Sequence, residues 1–197
     1  AGFSQIIVDL KNDGAKVRPI RNMAGGEDFN EVVFDNVLVP KDRIVGEPGN
    51  GWQQVTSELA YERSGPERFL SSFRVFVELV RICGDSPSPH QAAAIGRIAS
   101  HFMTLRRMSL SVAGMLEAGK DVSVEAALVK ELGNNFEKLL PEIARLVVPD
   151  LSAVDPDKQR LFRETFEETL MLSPSFTLRG GTREIMRGVI ARGLGLR

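Results

Sequence analysis

The spacing of apolar residues changes near residue 50. Up to that point, short runs rich in Val, Ile and Phe alternate with Gly, Asn, Asp and Pro, a pattern typical of short strands joined by turns. The pattern predicts strands over 3–10, 17–21 and 30–39. Pro40 ends the last of them because proline has no N–H to donate to a sheet. The Gly-rich segment 46–51 then separates this region from the rest of the chain.

Apolar residues after this segment recur at helical spacing. One helix is predicted over 52–82, interrupted or kinked at Gly65-Pro66. A second, over 91–117, carries an apolar stripe at intervals of three or four residues: Ile95, Ile98, Phe102, Leu105 and Met108. We therefore predict an α+β, mainly α fold: short antiparallel strands followed by an antiparallel helical bundle. The predicted domains are a partial β domain at 1–48 and a C-terminal helical bundle at 49–197.

Start and stop signals define the later helices. A third helix is predicted over 123–147, with Ser123 as N-cap and Glu125 in the first turn. Pro141 lies inside it as a potential break. Asp155-Pro156 predicts the start of a further helix, because aspartate suits the N-cap and proline the first helical position. That helix should end before Ser173-Pro174.

Composition sets limits on compartment and partners. A net charge of -1 gives no electrostatic case for nucleic acid or an anionic membrane. A single cysteine, Cys83, suits a reducing cytoplasm. No apolar run approaches the ~20 residues that span a bilayer, and no signal peptide is evident, so we expect a soluble cytoplasmic protein. His90 and His101 have no partners at metal-ligand spacing, so no metal site is expected.

Five motifs in chain order resemble the acyl-CoA dehydrogenase family, from the end of its middle β domain through its C-terminal helical bundle. They are FNEVVFDNVLVP at 29–40, GEPGNGW at 46–52, LAYER at 59–63, EAALVK at 125–130 and LRGGTREIMRG at 178–188. The resemblance covers essentially the whole chain. Family members are about twice as long and this chain begins without Met, so we expect a fragment whose missing half carries the flavin-contacting segment.

The resemblance implies an FAD-dependent oxidoreductase that dehydrogenates an acyl-CoA thioester. In this family a glutamate removes the α proton while the β hydrogen passes to the flavin. Many members carry that glutamate directly before the second glycine of the tail motif, but here the position is Gly180. Other members carry it on the first bundle helix before an arginine, which implies Glu62 as the base. Glu58 is the weaker substitute, and Glu-Arg on a helix otherwise marks a solvated face.

The resemblance also assigns supporting residues and partners. Tyr61 and Arg63 are implied to bind substrate, and Thr182 and Glu184 to contact the adenosine part of FAD. Both latter residues also suit a helix N-terminus, Thr182 as cap and Glu184 in the first turn. Electron-transfer flavoprotein is the implied electron acceptor. The bundle implies a homo- or hetero-oligomer.

One departure from the family pattern bears on the type of oligomer. Relatives carry Arg-x-x-Phe-Gly after the first long helix, where the arginine reaches FAD of a neighbouring subunit. Here Val80 stands in place of that arginine, and Arg81 is one residue out of register. This departure resembles the heteromeric dehydrogenases of bacterial steroid breakdown. Two alternatives therefore stay open: a non-catalytic partner subunit of a heteromer, and a flavin-free helical interaction module.

Overall fold

The computed structural model describes residues 2–196, and these divide into two compact units, Ala1–Leu59 and Ala60–Arg197. The first unit contains two small antiparallel sheets. Strand β1 (Gln5–Ile6) pairs with β4 (Ile44–Val45), and β2 (Ala15–Ile20) pairs with β3 (Phe29–Phe34). The prediction of short antiparallel strands is confirmed. Two of the three predicted strands, 3–10 and 30–39, are shorter in the structure.

Local turns explain why the strands are short. The predicted strand over 3–10 ends early because the backbone N–H of Asn12 donates to the Asp9 carbonyl and that of Lys11 to the Asp9 side chain, which closes a turn. The predicted strand over 30–39 ends at Phe34. Asn36 then adopts a left-handed backbone conformation with φ of 51°, which asparagine tolerates better than most residues and which cannot continue a strand.

Six α-helices follow within the described residues: α1 (Gly51–Ser64), α2 (Phe73–Cys83), α3 (Pro89–Glu117), α4 (Ser123–Val147), α5 (Pro156–Leu172) and α6 (Arg183–Gly193). The predicted interruption at Gly65-Pro66 is confirmed, since α1 ends there and a 3₁₀ turn, Pro66–Arg68, leads to α2. No helix among the described residues is long and apolar enough to cross a membrane.

Two of the helix signals behave differently from the prediction. Asp155 caps α5 as predicted, because its side chain accepts hydrogen bonds from the N–H groups of residues 157 and 158. Ser123 is instead the first helical residue of α4. Its backbone N–H and hydroxyl both donate to the Asp121 side chain, at 3.0 and 2.7 Å. Pro141 does not split α4, which runs through it unbroken.

Helix α4 lies at the centre of the second unit, where it packs against α2, α3, α5 and α6. The predicted stripe on α3 is confirmed: Ile98, Phe102 and Leu105 are buried. The Phe102 ring contacts those of Phe73 and Phe136 edge-on, with centroids 5.0 and 4.8 Å apart, a favourable arrangement for aromatic pairs. These contacts hold α2 and α3 against α4.

Candidate active site

Glu62 lies near the end of α1, and the 3₁₀ turn after the helix returns Arg68 to it. The buried Arg68 guanidinium donates from Nη2 to Glu62 Oε1 at 2.5 Å and from Nε to the Glu62 backbone carbonyl at 3.0 Å. The Arg68 side chain is only 5% exposed, whereas that of Glu62 is 43% exposed. Arg68 therefore fixes one carboxylate oxygen from the protein side, while the rest of the carboxylate stays accessible.

Gly180 lies against the same ion pair. A Cβ built on Gly180 would lie 3.2 Å from Glu62 Oε1 and 3.2 Å from the Arg68 Cζ atom. Its φ of +68° is one that residues with a side chain rarely adopt. The structure thus brings together the two positions, 62 and 180, that are separated in sequence and from which the family's catalytic carboxylate is expected.

Two arginines hold the turn that contains Gly180. Arg63 Nε donates to the Gly180 carbonyl at 3.4 Å. Burial lowers the pKa of Arg63, and the neighbouring Glu62 carboxylate opposes that change. Arg179 Nη2 donates to the Glu67 carbonyl at 3.0 Å, the Ser71 hydroxyl at 2.5 Å and Glu137 Oε2 at 2.9 Å. These bonds connect the turn to the segment after α1 and to α4.

Glu137 is the buried acceptor of this network. Its side chain is 0% exposed, and Oε1 accepts a hydrogen bond from the Ser71 backbone N–H at 2.6 Å. Burial raises the pKa of Glu137, and the hydrogen bonds and charge from Ser71 and Arg179 oppose that rise. One carboxylate on α4 therefore joins the segment after α1 to the Gly180 turn.

Glu137 belongs to a polar stripe on the buried face of α4. Lys130, Asn134 and Glu137 recur at intervals of four and three residues, which places them on one face of the helix, and each is 0% exposed. Among residues 2–196, neither Lys130 Nζ nor the two polar side-chain atoms of Asn134 have a hydrogen-bond partner. Burial and the nearby Arg68 lower the pKa of Lys130 to about 8.

The remaining predicted site residues are Tyr61, next to Glu62 on α1, and Thr182 and Glu184, at the start of α6. Tyr61 is 64% exposed. Thr182 occupies the N-cap position of α6 as expected, but its side chain accepts no hydrogen bond from the helix. A hydrogen bond from the Glu184 backbone N–H, and secondly one from the Thr182 hydroxyl, lower the pKa of the exposed Glu184. Thr182 and Glu184 therefore lie close together at the start of α6.

Two arginines of α6 interact with α4. Arg187 Nε donates to Glu131 Oε1 at 3.0 Å, and Arg183 Nε and Nη2 reach the same oxygen at 3.4 Å. The structure gives these two arginines an intramolecular role, because both bind a carboxylate of α4. Their bonds to Glu131 connect α6 to α4.

The sequence did not predict three of the residues at this site. Arg68 and Glu137 lie outside the five motifs, and Arg179 lies inside the last motif without a role assigned to it. One signal was available for α4: polar residues at 130, 134 and 137 interrupt an otherwise apolar buried face. Polar residues at core positions usually mark a hydrogen-bonded network or a functional site.

Gly180→Ala should lower the free energy of unfolding by about 1 kcal/mol, because alanine is strained at positive φ, and the new Cβ meets Arg68 and Glu62. Chemical denaturation monitored by circular dichroism measures the change. Gly114→Ala is the control: Gly114 lies on the exposed face of α3 and its Cβ would meet nothing within 4 Å, so stability should stay equal or rise. Equal effects of the two substitutions on stability would contradict the close packing of Gly180 against Arg68 and Glu62.

The helical bundle with its preceding strands has the fold of acyl-CoA dehydrogenases. The solved structure of the ChsE4-ChsE5 complex from Mycobacterium tuberculosis matches 98% of this chain and 53% of its own with a TM-score of 0.75, at 23% identity. The sequence gives the same relationship. The acyl-CoA dehydrogenase IpdE1 of Mycobacterium tuberculosis (strain ATCC 25618 / H37Rv) is 30% identical over 200 residues, which cover all of this chain and 51% of the relative.

A second relative agrees with the first. The acyl-CoA dehydrogenase IpdE1 of Mycolicibacterium smegmatis (strain ATCC 700084 / mc(2)155) is 28% identical over 202 residues, covering all of this chain and 50% of the relative. No family model matches the chain. The resemblance to acyl-CoA dehydrogenases is confirmed, and the chain spans about half the length of the curated relatives it matches.

Proposed function

We propose that this chain forms part of an FAD-dependent acyl-CoA dehydrogenase that introduces an α,β double bond into an acyl-CoA thioester, with Glu62 as the general base. The observation that carries the proposal is the arrangement of Glu62, Arg68 and Gly180. The buried Arg68 guanidinium fixes the accessible Glu62 carboxylate next to Gly180, the position at which many family members carry their catalytic glutamate. The similarity to acyl-CoA dehydrogenases over the whole chain supports the same reaction class.

Glu62 acts on the substrate through the side of the carboxylate that Arg68 does not hold. The described contacts of its side chain are made through Oε1, which leaves Oε2 to accept the α proton. A fixed carboxylate close to the α carbon accelerates proton removal, because orientation is established before the reaction. Gly180 has no side chain, so it leaves room for the carboxylate of residue 62.

Tyr61 and Arg63 flank the base and complete the substrate side of the proposed site. The exposed Tyr61 ring offers an apolar surface with a polar tip, which suits the acyl or pantetheine part of a thioester. Arg63, half-buried against the Gly180 carbonyl, holds the turn in place and orients substrate from the protein side.

Residues at the start of α6 fit the adenosine part of FAD. The exposed Glu184 carboxylate and the Thr182 hydroxyl lie together at a helix N-terminus and can hydrogen-bond the hydroxyl groups of a ribose. When bound, the flavin supplies the acceptor for the hydride that leaves the β carbon. Thr182 and Glu184 would hold the cofactor, and the chain's part in the reaction is to position it and to remove the proton at Glu62.

A heteromeric assembly is the second candidate, with this chain as a catalytic or non-catalytic subunit. Arg81, the nearest match to the family's FAD-contacting arginine, donates to the buried Glu78 carboxylate at 2.6 Å. It is therefore engaged within its own helix. A solved neighbour in fold is itself named as a complex of two proteins, ChsE4 and ChsE5. We propose a cytoplasmic oligomer that passes electrons to electron-transfer flavoprotein.

Anaerobic mixing of the complete protein with acyl-CoA thioesters tests the proposal. We expect the visible absorbance of bound flavin to bleach on mixing, because the substrate's electrons reduce it, and enoyl-CoA to form in equal amount. A flavin that stays oxidised with every thioester tested would favour the non-catalytic subunit. A colourless protein that also ignores added FAD would favour a flavin-free interaction module, and either result would overturn the proposed activity.

A further inference from the structure

Lys130 lies on the face of α4 that packs against the segment carrying Arg68. It is 0% exposed, and its Nζ atom has no hydrogen-bond partner in the described part of the chain. Gly133, on the same face one turn later, packs so closely on the Arg68 backbone that a Cβ at position 133 would overlap the Arg68 carbonyl. The face of α4 that carries Lys130 therefore packs directly against the backbone at Arg68.

Four charged side chains lie close enough to Lys130 to influence its pKa. Arg68 and Arg63 repel its ammonium group, whereas Glu131 and Glu62 attract it. The Glu131 carboxylate already accepts from Arg183 and Arg187 of α6. Glu62 is held by one guanidinium and is 43% exposed. The ammonium group of Lys130 is therefore within the field of both members of the Arg68–Glu62 ion pair, and it forms no hydrogen bond with the described residues.

We propose that Lys130 is a positioning residue for Glu62: its buried ammonium group adds positive potential beside the Arg68–Glu62 ion pair and favours the position in which Arg68 holds the Glu62 carboxylate. This inference rests on the proposed role of Glu62 as base. Lys130 itself touches no substrate, because it is fully buried. Its effect reaches the carboxylate through Arg68 and through the electric field, which water screens least on the buried side of the ion pair, where the Arg68 side chain is 5% exposed.

The charge of Lys130 can be changed under mild conditions. Burial, and secondly Arg68, lower the pKa of Lys130 to about 8. The ammonium form therefore predominates at neutral pH and is lost as the pH rises above about 8. Glu62 should sense this loss as the disappearance of a nearby positive charge.

Carbon-13 NMR of protein labelled at the glutamate carboxyl carbon can detect this effect without any enzymatic activity. The Glu62 resonance is assigned by its absence in Glu62→Gln. In the wild-type protein, it should change position in a step with a midpoint near the pKa of Lys130, about 8. Lys130→Met removes the charge at similar length, and the step should disappear. Lys130→Arg keeps a charge and should hold the Glu62 resonance at its neutral-pH position throughout.

Lys138→Met is the matched control, because Lys138 lies on the exposed face of the same helix, where solvent screens its charge. This variant should retain the step. A Glu62 resonance without a step near pH 8 in the wild type, or a step that survives in Lys130→Met, overturns the inference. The wild-type titration decides the question even where Lys130→Met does not fold.

Kinetics separate this inference from the proposed function. In an active complete protein, kcat/KM should change in a step near pH 8, where Lys130 loses its charge. This step should be absent in Lys130→Met and present in Lys138→Met. An NMR step that depends on Lys130, in a protein without dehydrogenase activity, would uphold the inference and reject the proposed function. A step near pH 8 that survives in an active Lys130→Met enzyme would overturn the inference.

Discussion

Glu62→Gln should lower kcat for the proposed acyl-CoA dehydrogenation about 10²- to 10⁴-fold, the contribution expected of a general base. Glutamine has the shape of glutamate and can still accept from Arg68, but its amide cannot take the α proton. Flavin reduction in stopped flow measures the chemical step directly. Binding of substrate and FAD should change little, because the substitution removes basicity and leaves the backbone contacts of residue 62 in place.

Glu58→Gln provides the control for this experiment. Glu58 lies one turn before Glu62 on α1 and is the other carboxylate considered for the base. Its substitution should leave the rate of flavin reduction within about twofold, as for an exposed side chain away from the reaction. A large loss in Glu58→Gln with normal turnover in Glu62→Gln would assign the base to Glu58. Normal turnover in both would place the base outside α1.

The sequence predicted the helices of this chain better than its strands, for a local reason. Helix starts and stops depend on neighbouring residues, and Asp155-Pro156 and Gly65-Pro66 act as predicted. Strand lengths depend on pairing with distant segments and on turns. The turn at Asp9 and the left-handed Asn36 shorten two predicted strands, although the apolar pattern continues through both positions.

The candidate site was predictable only in part. Glu62 and Gly180 follow from motifs, but their proximity depends on a buried arginine that no motif includes. In the sequence, Arg68 is one of two Glu-Arg pairs and gives no sign of burial. The 3₁₀ turn after α1 brings its guanidinium to Glu62. The polar stripe of α4 was visible as an interruption of the helical pattern. Its connection to the Gly180 turn needs the tertiary packing of α4 against α6.

Arg179→Met should lower the free energy of unfolding by about 3 kcal/mol at pH 7, because it leaves the Glu137 carboxylate buried without its countercharge. The Glu137 side chain is 0% exposed. In the variant it would lose the ion pair with Arg179 and keep the hydrogen bond from the Ser71 backbone N–H. Urea denaturation measures the loss. Arg160→Met is the control: Arg160 forms exposed ion pairs on α5, so its removal should cost less than about 1 kcal/mol.

The loss in Arg179→Met should depend on pH in a direction fixed by Glu137. Burial already raises the pKa of Glu137, and Arg179 is one of the groups that oppose the rise. Without Arg179, the folded state binds a proton more readily than the unfolded state. The stability of the variant should therefore recover as the pH falls from 7 towards 5, relative to the wild type. A loss that stays constant over this range would contradict a buried, uncompensated carboxylate.

A double variant, Arg179→Met with Glu137→Leu, separates the two contributions of this ion pair. Apolar replacement of both partners removes the buried charge together with its countercharge, and such replacements are often close to neutral. Most of the stability lost in Arg179→Met should return. Turnover should not return with it, because Arg179 also binds the Glu67 carbonyl and the Ser71 hydroxyl and so fixes the Gly180 turn beside Glu62. Recovery of both stability and turnover would show that the turn is positioned without Arg179.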